Sequence, residues 1–162
     1  MPEIKNKIVC RNVWKVFGPS PQQVIESLQN GHSDMDKQQV LEDSGHVIAV
    51  RDASFEIRED EIFVIMGLSG SGKSTLVRCI NRLIEPSAGE ILIEGDNVAK
   101  LSKKELRQMR RHKMSMVFQH FGLLPHRSVL DNVMFGLEIR GETKQEQHRK
   151  AREALALVGL ED

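Results

Sequence analysis

Gly67-Leu-Ser-Gly-Ser-Gly-Lys-Ser-Thr75 decides the fold class of this chain, because it follows the phosphate-loop pattern G-x-x-x-x-G-K-[S/T]. The apolar run that precedes it, Ile62-Phe-Val-Ile-Met66, predicts a strand buried on both faces of a parallel sheet. Apolar residues after the loop recur at helical spacing, namely Leu76, Ile80, Leu83 and Ile84. The predicted order is therefore strand, glycine loop and helix.

This loop has the residue types that phosphate binding requires. Its glycines let the backbone curl around an anion, so that N–H groups and the positive end of the following helix face a phosphate. Lys73 supplies a charge to the β- and γ-phosphates, and the Ser74 hydroxyl is a candidate Mg²⁺ ligand. The candidate nucleotide-binding residues of the loop are Gly67, Leu68, Ser69, Gly70, Ser71, Gly72, Lys73, Ser74 and Thr75.

The composition indicates a single soluble domain without a nucleic-acid partner. The 162 residues are 40% apolar, and acidic and basic residues number 23 each, so the formal charge is zero. A basic run at 103–113 is interpreted as a solvated helix face, because no aromatic residues interleave with it. Cys10 and Cys79 lack any metal or redox spacing, which predicts reduced thiols in a cytosolic compartment. No signal peptide or membrane span is found.

The first half of the chain alternates strand and helix signals. Residues 4–17 and 46–57 have strand character, and the polar, helical stretch between them is interpreted as an insertion at about 20–45. The insertion is expected to hold a helix that stops at Gly31 and a second short helix that carries Val40 and Leu41. Residues 91–93 predict another short strand.

Helix starts are marked in the second half. Ser102-Lys-Lys-Glu105 and Thr143-Lys-Gln-Glu146 are capping boxes, and Ser128 is expected to cap a helix that runs through Phe135. Gly159 is the expected stop of the last helix. The expected apolar face of that helix carries Ala151, Ala154, Leu155 and Val158.

A further strand is predicted at Met114-Ser-Met-Val-Phe118. It delivers Gln119 to the carboxyl end of the sheet, which is the edge where open α/β sheets bind ligands. Gln119 is therefore a candidate γ-phosphate sensor, and the alternative is an ordinary hydrophilic strand end.

Several separated stretches resemble the first half of the ATP-binding subunits of ABC transporters. They are the loop at 67–75, Asn81-Arg-Leu-Ile-Glu-Pro86, Gly89-Glu-Ile-Leu-Ile-Glu-Gly95 and Met116-Val-Phe-Gln119. The run 62–70, the insertion before Ala49-Val-Arg-Asp-Ala-Ser54, and Leu123-Leu-Pro-His-Arg-Ser-Val-Leu-Asp-Asn132 more narrowly resemble the glycine betaine/proline betaine importer ATPases of bacteria and archaea.

The resemblance implies an α/β fold of the P-loop NTPase class, with a RecA-like core and an N-terminal antiparallel β subdomain. Residues 1–162 would form the N-terminal portion of one nucleotide-binding domain, incomplete in its C-terminal part. Phe17 would stack on adenine, the alternative being an ordinary core phenylalanine. Gln119 would match the Q-loop glutamine, which reaches Mg²⁺ or the attacking water, so that Ser74 and Gln119 are the implied metal-site residues.

The resemblance also implies what these 162 residues lack. The Leu-Ser-Gly-Gly signature, the second acidic strand, the general-base glutamate and the switch histidine are expected beyond residue 162. No catalytic residue is therefore assigned within the chain, and the isolated chain is expected to be inactive.

In full-length form, the protein is expected to be the ATPase of a glycine betaine/proline betaine importer, with ATP and Mg²⁺ as cofactors. It would lie peripherally on the cytoplasmic face of the plasma membrane. The implied partners are a second ATPase subunit in a homodimer, the permease subunits and, indirectly, an extracytoplasmic solute-binding protein. The alternatives are an importer of amino acids or other small solutes, or a nucleotide-binding fragment without activity. A small P-loop kinase is disfavoured because no Arg-rich lid is present, and a GTPase because no N-K-x-D sequence occurs.

Overall fold

A computed structural model describes residues 5–30, 40, 42, 44–118 and 122–160 of the chain. The chain divides into two compact units, Met1–Arg110 and Arg111–Asp162. The elements are β1 (Asn6–Phe17), α1 (Pro21–Gln29), β2 (Val47–Arg58), α2 (Lys73–Ile80), β3 (Ala88–Ile93), β4 (Asp96–Asn97), α3 (Lys103–His112), α4 (Val129–Arg140) and α5 (Lys144–Leu157).

The first unit is built on an antiparallel sheet with the strand order β2-β1-β3-β4. The two long strands β1 and β2 form a hairpin whose pairing runs from Asn6 opposite Arg58 to Phe17 opposite Val47. The strands predicted at 4–17, 46–57 and 91–93 are confirmed as Asn6–Phe17, Val47–Arg58 and Ala88–Ile93, and Ile4 lies outside the described residues. The antiparallel β subdomain near the N-terminus is also confirmed.

The insertion packs against one end of this hairpin. Ile25 and Leu28 of α1 are buried in one cluster with Trp14 and Val16 of β1. Val40 and Ile48 complete the cluster. Helical conformation is also found at residues 40, 42 and 44, whereas the predicted stop at Gly31 and the predicted contribution of Leu41 lie outside the described residues. Ile25 and Leu28 thus give α1 an apolar face that packs on the sheet.

Two predicted strands are wrong for the described chain. Residues 62–66 and 114–118 are not paired as strands. In the first run Ile62 is 92% and Met66 86% exposed, and in the second Val117 is 95% exposed. A parallel strand forms only when neighbouring strands accept and donate its backbone hydrogen bonds, and no part of the described chain does this for either run. Phe63 is held instead by its side chain, which stacks on Phe55 of β2 with ring centroids 5.0 Å apart.

The predicted start of α3 is confirmed in detail. The Ser102 N–H donates to Oε2 of Glu105 at 2.8 Å, and the Glu105 N–H donates to Oγ of Ser102 at 3.3 Å. The hydrogen bonds from Ser102 hold the pKa of the Glu105 carboxyl below its usual value. The carboxylate is therefore favoured at the positive end of the helix.

The second unit contains α4 and α5, which pack against each other. Ser128 caps α4 as predicted by accepting from the Asp131 N–H at 3.1 Å, but the helix runs on to Arg140 rather than ending at Phe135. The longer helix ends at Gly141, which takes a left-handed conformation.

Helix α5 begins at a capping box that is only half formed. Oγ1 of Thr143 accepts from the Glu146 N–H, while the Glu146 carboxylate pairs with Arg149 at 2.7 Å. The helix ends next to the predicted stop, because Val158 caps it and Gly159 has a φ of 69°. Of its predicted apolar face, Ala151 is buried and Leu155 is half-buried, whereas Ala154 and Val158 are exposed.

Both cysteines are free thiols buried in the first unit. Burial, together with the neighbouring Cys79, raises the pKa of Cys10 to about 12. Burial also raises the pKa of Cys79, with Lys15 opposing the change. Both side chains therefore act as packing groups. None of the helices in the described ranges is long and apolar enough to cross a bilayer.

Candidate functional site: the phosphate loop

The loop at 67–75 follows residues 62–66 directly and runs into the first turn of α2, which begins at Lys73. The Ser71 N–H donates to the Leu68 carbonyl at 3.2 Å and closes a tight turn, while Gly70 and Gly72 have φ values of 77° and 98°. Gly72 is the residue before the first turn of α2, and its carbonyl accepts from the Leu76 N–H at 2.9 Å. Because glycine has no side chain to cap the helix, the N–H groups of the first turn of α2 are left for an external acceptor.

Gly72 also allows the loop to lie directly on the sheet. A Cβ at this position would lie 1.8 Å from the carbonyl oxygen of Ala49 in β2. That oxygen belongs to a strand whose next residue, Val50, is paired with Lys15 of β1. The backbone of β2 therefore supports the loop from below, and only glycine fits at the contact.

The Lys73 side chain folds back over the loop. Its Nζ donates to the carbonyl oxygens of Gly67 and Leu68, each at 2.7 Å, and lies 3.4 Å from Oγ of Ser71. The ammonium group is thus held at the same short segment whose glycines shape the turn. The phosphate-binding role of Lys73 stays a prediction.

The first turn of α2 presents the remaining predicted residues. Ser74 is exposed and Thr75 is half-buried, while Leu76 turns inward and anchors the helix. The Ser74 hydroxyl therefore has the chemistry and the access for a hard cation such as Mg²⁺. The described residues contain no group of three or more His, Cys, Asp or Glu side chains that would hold a metal ion by themselves. An ion here would rely on Ser74 and on phosphate oxygens.

A cavity of about 380 Å³ lies beside the loop. Its walls come from β2, from the end of residues 62–66, from the loop and from α2. Arg51 of β2 is part of this wall together with Lys73, and sequence reasoning did not single it out. No local pattern marks Arg51, because its place in the wall follows from the way β2 runs beneath Gly72.

Phe17 is the last residue of β1, and its side chain is 41% exposed. Lys15 Nζ lies 4.8 Å from the centre of its ring. This exposure argues against an ordinary core phenylalanine, and the adenine-stacking role stays a prediction. Because Phe17 pairs with Val47, the whole insertion leaves and rejoins the sheet at one point. The insertion therefore lengthens the sequence interval between Phe17 and Gly67 without moving Phe17 away from β2.

The other predicted site residue, Gln119, lies outside the described residues. Residues Gly67–Thr75 are consecutive and surround Lys73, and the nucleotide-binding roles predicted for them stay predictions. The roles predicted for Phe17 and Gln119 remain predictions.

Comparison with known proteins agrees with this geometry. The family model described as ABC transporter matches residues 50–162. The chain is 53% identical over 156 residues to the glycine betaine/proline betaine transport system ATP-binding protein of Salmonella typhimurium. The aligned region covers 96% of this chain and 38% of that protein. It is 52% identical over 155 residues to the glycine betaine transport ATP-binding protein of Bacillus subtilis, and this alignment covers 96% of this chain and 36% of that protein.

A solved structure gives the same result for the fold. It is the dimeric, post-hydrolysis structure of an ATP-binding cassette bound to ADP and Pi, which superposes with a TM-score of 0.71 at 28% identity. The match covers 92% of this chain and 56% of that one, and the chain spans about 38% of the length of the Salmonella relative. With a family model matched from residue 50 onward and a P-loop NTPase cassette as structural neighbour, the chain belongs to the ABC transporter family.

Proposed function

We propose that this chain is the nucleotide-binding part of an importer ATPase for osmoprotectants of the glycine betaine and proline betaine type. It binds ATP and couples ATP binding and hydrolysis to uptake of the solute. The observation that supports this most strongly is the phosphate loop with Lys73 at the start of α2, in a chain 53% identical over 96% of its length to a glycine betaine/proline betaine transport protein.

The loop acts on the phosphates mainly by position and charge. When ATP binds, Lys73 exchanges its bonds to the neutral Gly67 and Leu68 carbonyls for bonds to phosphate oxygens, in which the donor and the acceptor are both charged. The N–H groups at the first turn of α2 add their positive end to the same site. In phosphoryl transfer, such residues act mainly by positioning the phosphates and by stabilising their negative charge.

The residues proposed to hold Mg²⁺ are Ser74 and Gln119. When bound, the ion would neutralise the negative charge that develops on the phosphates. The Ser74 hydroxyl supports this assignment by its exposed position one residue after Lys73. Phe17, exposed at the end of β1, would place the adenine ring by stacking.

The proposed partners follow from the same assignment. A second copy would complete the ATP site, permease subunits would carry the solute across the membrane, and an extracytoplasmic binding protein would deliver it. The protein would lie peripherally at the cytoplasmic face of the membrane. The dimeric cassette among the structural neighbours supports the first of these, and the transport-system names of the relatives support the second.

The solute assignment is tested by uptake into vesicles that carry the complete transport system. Glycine betaine is expected to accumulate in the vesicles when they contain ATP, because 96% of the chain aligns with a glycine betaine/proline betaine transport protein at 53% identity. Labelled methionine serves as the matched solute. Uptake of methionine but not of glycine betaine would overturn the osmoprotectant assignment while leaving the ATPase assignment standing.

Gln119→Ala is expected to impair coupling more than binding. In the complete system, ATP affinity should stay within about tenfold, roughly 1.4 kcal/mol, while glycine betaine uptake falls much further. The physical reason is that a γ-phosphate sensor contributes one contact to binding but reports the state of the phosphate to the permease. The measurement pairs uptake with nucleotide affinity.

Gln108→Ala, at an exposed position of α3, is the matched control for this change. Equal loss of affinity and uptake in Gln119→Ala would reduce Gln119 to an ordinary binding residue. No loss in either would leave the hydrophilic strand end as the correct interpretation.

A further inference from the structure

The turn that follows α2 has an unusual conformation. The helix ends at Ile80, and Arg82 two residues later has a left-handed φ of 50°, which L side chains rarely adopt. The N–H groups of Leu83 and Ile84 both donate to the carbonyl of Arg78, at 2.8 and 3.2 Å. This turn ends α2 before Leu83 and Ile84, which the helical spacing had placed on the helix.

Arg110 of α3 binds the carbonyl groups of this turn. Its Nε and Nη2 donate to the Asn81 oxygen at 3.1 and 3.0 Å, and Nη2 donates to the Arg82 oxygen at 2.7 Å. These carbonyls lie just past the C-terminal end of α2, where the helix dipole is negative and a cation is favoured. The planar guanidinium suits two adjacent acceptors better than a lysine ammonium would.

Arg82 itself fixes the turn from the other side. Its Nη1 donates to the carbonyl oxygens of Val98 and Leu101, at 3.0 and 2.7 Å. Its Nε and Nη2 both donate to Oε1 of Glu85, at 3.1 and 2.9 Å. Only 17% of the Arg82 side chain is exposed, so its bonds to Val98 and Leu101 are partly shielded from solvent, whereas the Glu85 side chain is 73% exposed.

We propose that Arg82 and Arg110 form a guanidinium clamp that positions the phosphate loop through α2. The helix has only eight residues and is therefore roughly 12 Å long, with Lys73 at one end and the clamped turn at the other. Holding the far end sets the direction in which the first-turn N–H groups and Lys73 point. The inference rests on the proposed function, because its output is ATP turnover.

The clamp residues are positioning residues, since neither touches the loop. A displacement of about 1 Å at a reacting group costs about a hundredfold in rate. Release of the turn is therefore expected to lower the turnover of occupied sites, while the number of nucleotide sites stays the same. Loss of folding would do the reverse, removing sites and leaving the remaining ones at their normal turnover.

The test compares Arg110→Gln and Arg110→Lys in the complete protein, with Arg107→Gln as the matched control on an exposed position of the same helix. Binding sites are counted by titration with a fluorescent ATP analogue, and phosphate release is divided by that count. Arg110→Gln is expected to lower turnover per site by roughly tenfold to a hundredfold. The turnover per site of Arg110→Lys should lie between those of Arg110→Gln and the unmodified protein, because lysine keeps the charge but lacks the planar guanidinium. The turnover per site of Arg107→Gln should be unchanged.

The clamp is overturned if turnover per site is normal in both Arg110 variants, whether or not sites are lost. If Arg110→Gln yields no folded protein, the turnover per site of Arg110→Lys alone tests the clamp. Lys73→Ala in the same assay separates the two proposals. If Lys73→Ala keeps its turnover, the proposed function fails; if Lys73→Ala is inactive and the Arg110 variants are normal, only the clamp fails.

Discussion

Lys73→Ala is expected to abolish ATP turnover in the complete protein, with a loss of at least about a thousandfold, or roughly 4 kcal/mol of transition-state stabilisation. The change removes the ammonium group that now bonds to the Gly67 and Leu68 carbonyls and that would meet the β- and γ-phosphates. Phosphate release and ATP affinity are the measurements, on protein whose circular dichroism matches the unmodified form.

Lys104→Ala, an exposed lysine on α3, is the control for the loss of one positive charge, and it should leave turnover unaffected. A folded Lys73→Ala protein with normal affinity and turnover would show that the loop does not bind nucleotide phosphates. Replacing Leu76 would give no such information, because that side chain is buried and its loss would act on folding.

Gly72→Ala is expected to destabilise the protein by roughly 2 to 4 kcal/mol and to remove ATP binding with it. The new Cβ would lie 1.8 Å from the Ala49 oxygen, and the φ of 98° disfavours any L side chain. The neighbour that must yield is backbone, within a strand paired to β1, so relief requires the loop to lift from the sheet. Urea unfolding and nucleotide titration measure the two effects.

Gly136→Ala is the matched control for this substitution. Gly136 lies inside α4, and a Cβ there would meet no atom within 4 Å. Alanine is a better helix former than glycine, so this variant should gain about 0.5 to 1 kcal/mol. Equal stability of Gly72→Ala and Gly136→Ala would mean that β2 does not support the loop as described.

Local sequence signals predicted much of this structure. The strand character of β1 and β2, the glycine spacing of the phosphate loop and the Ser102–Glu105 capping box all act over a few residues, and each is found where it was expected. The central part of the candidate site was therefore readable from the chain alone. Lys73 in particular follows from a pattern of eight consecutive residues, whose glycines also favour the turn that the loop adopts.

The failures have a different physical origin. Residues 62–66 and 114–118 have the composition of core strands, but strand formation depends on distant neighbours that a local run does not encode. The early end of α2 depends on the left-handed Arg82, whose cost is offset by carbonyls at Val98 and Leu101. Arg51 and Arg110 likewise owe their places to long-range packing, so no local motif points to either.

The pairing of Phe17 with Val47 has a further consequence for how the insertion can change. Both ends of the insertion meet at one residue pair of the hairpin. A longer insertion therefore lowers the free energy of unfolding only through the entropy of loop closure, whose cost grows by about 0.6 kcal/mol for each doubling of length. What must be kept are the anchors, Ile25, Leu28 and Val40, that cover Trp14. Evolution or an engineer can therefore lengthen or shorten the chain between those anchors at little cost, while the aromatic residue at the strand end stays where it is.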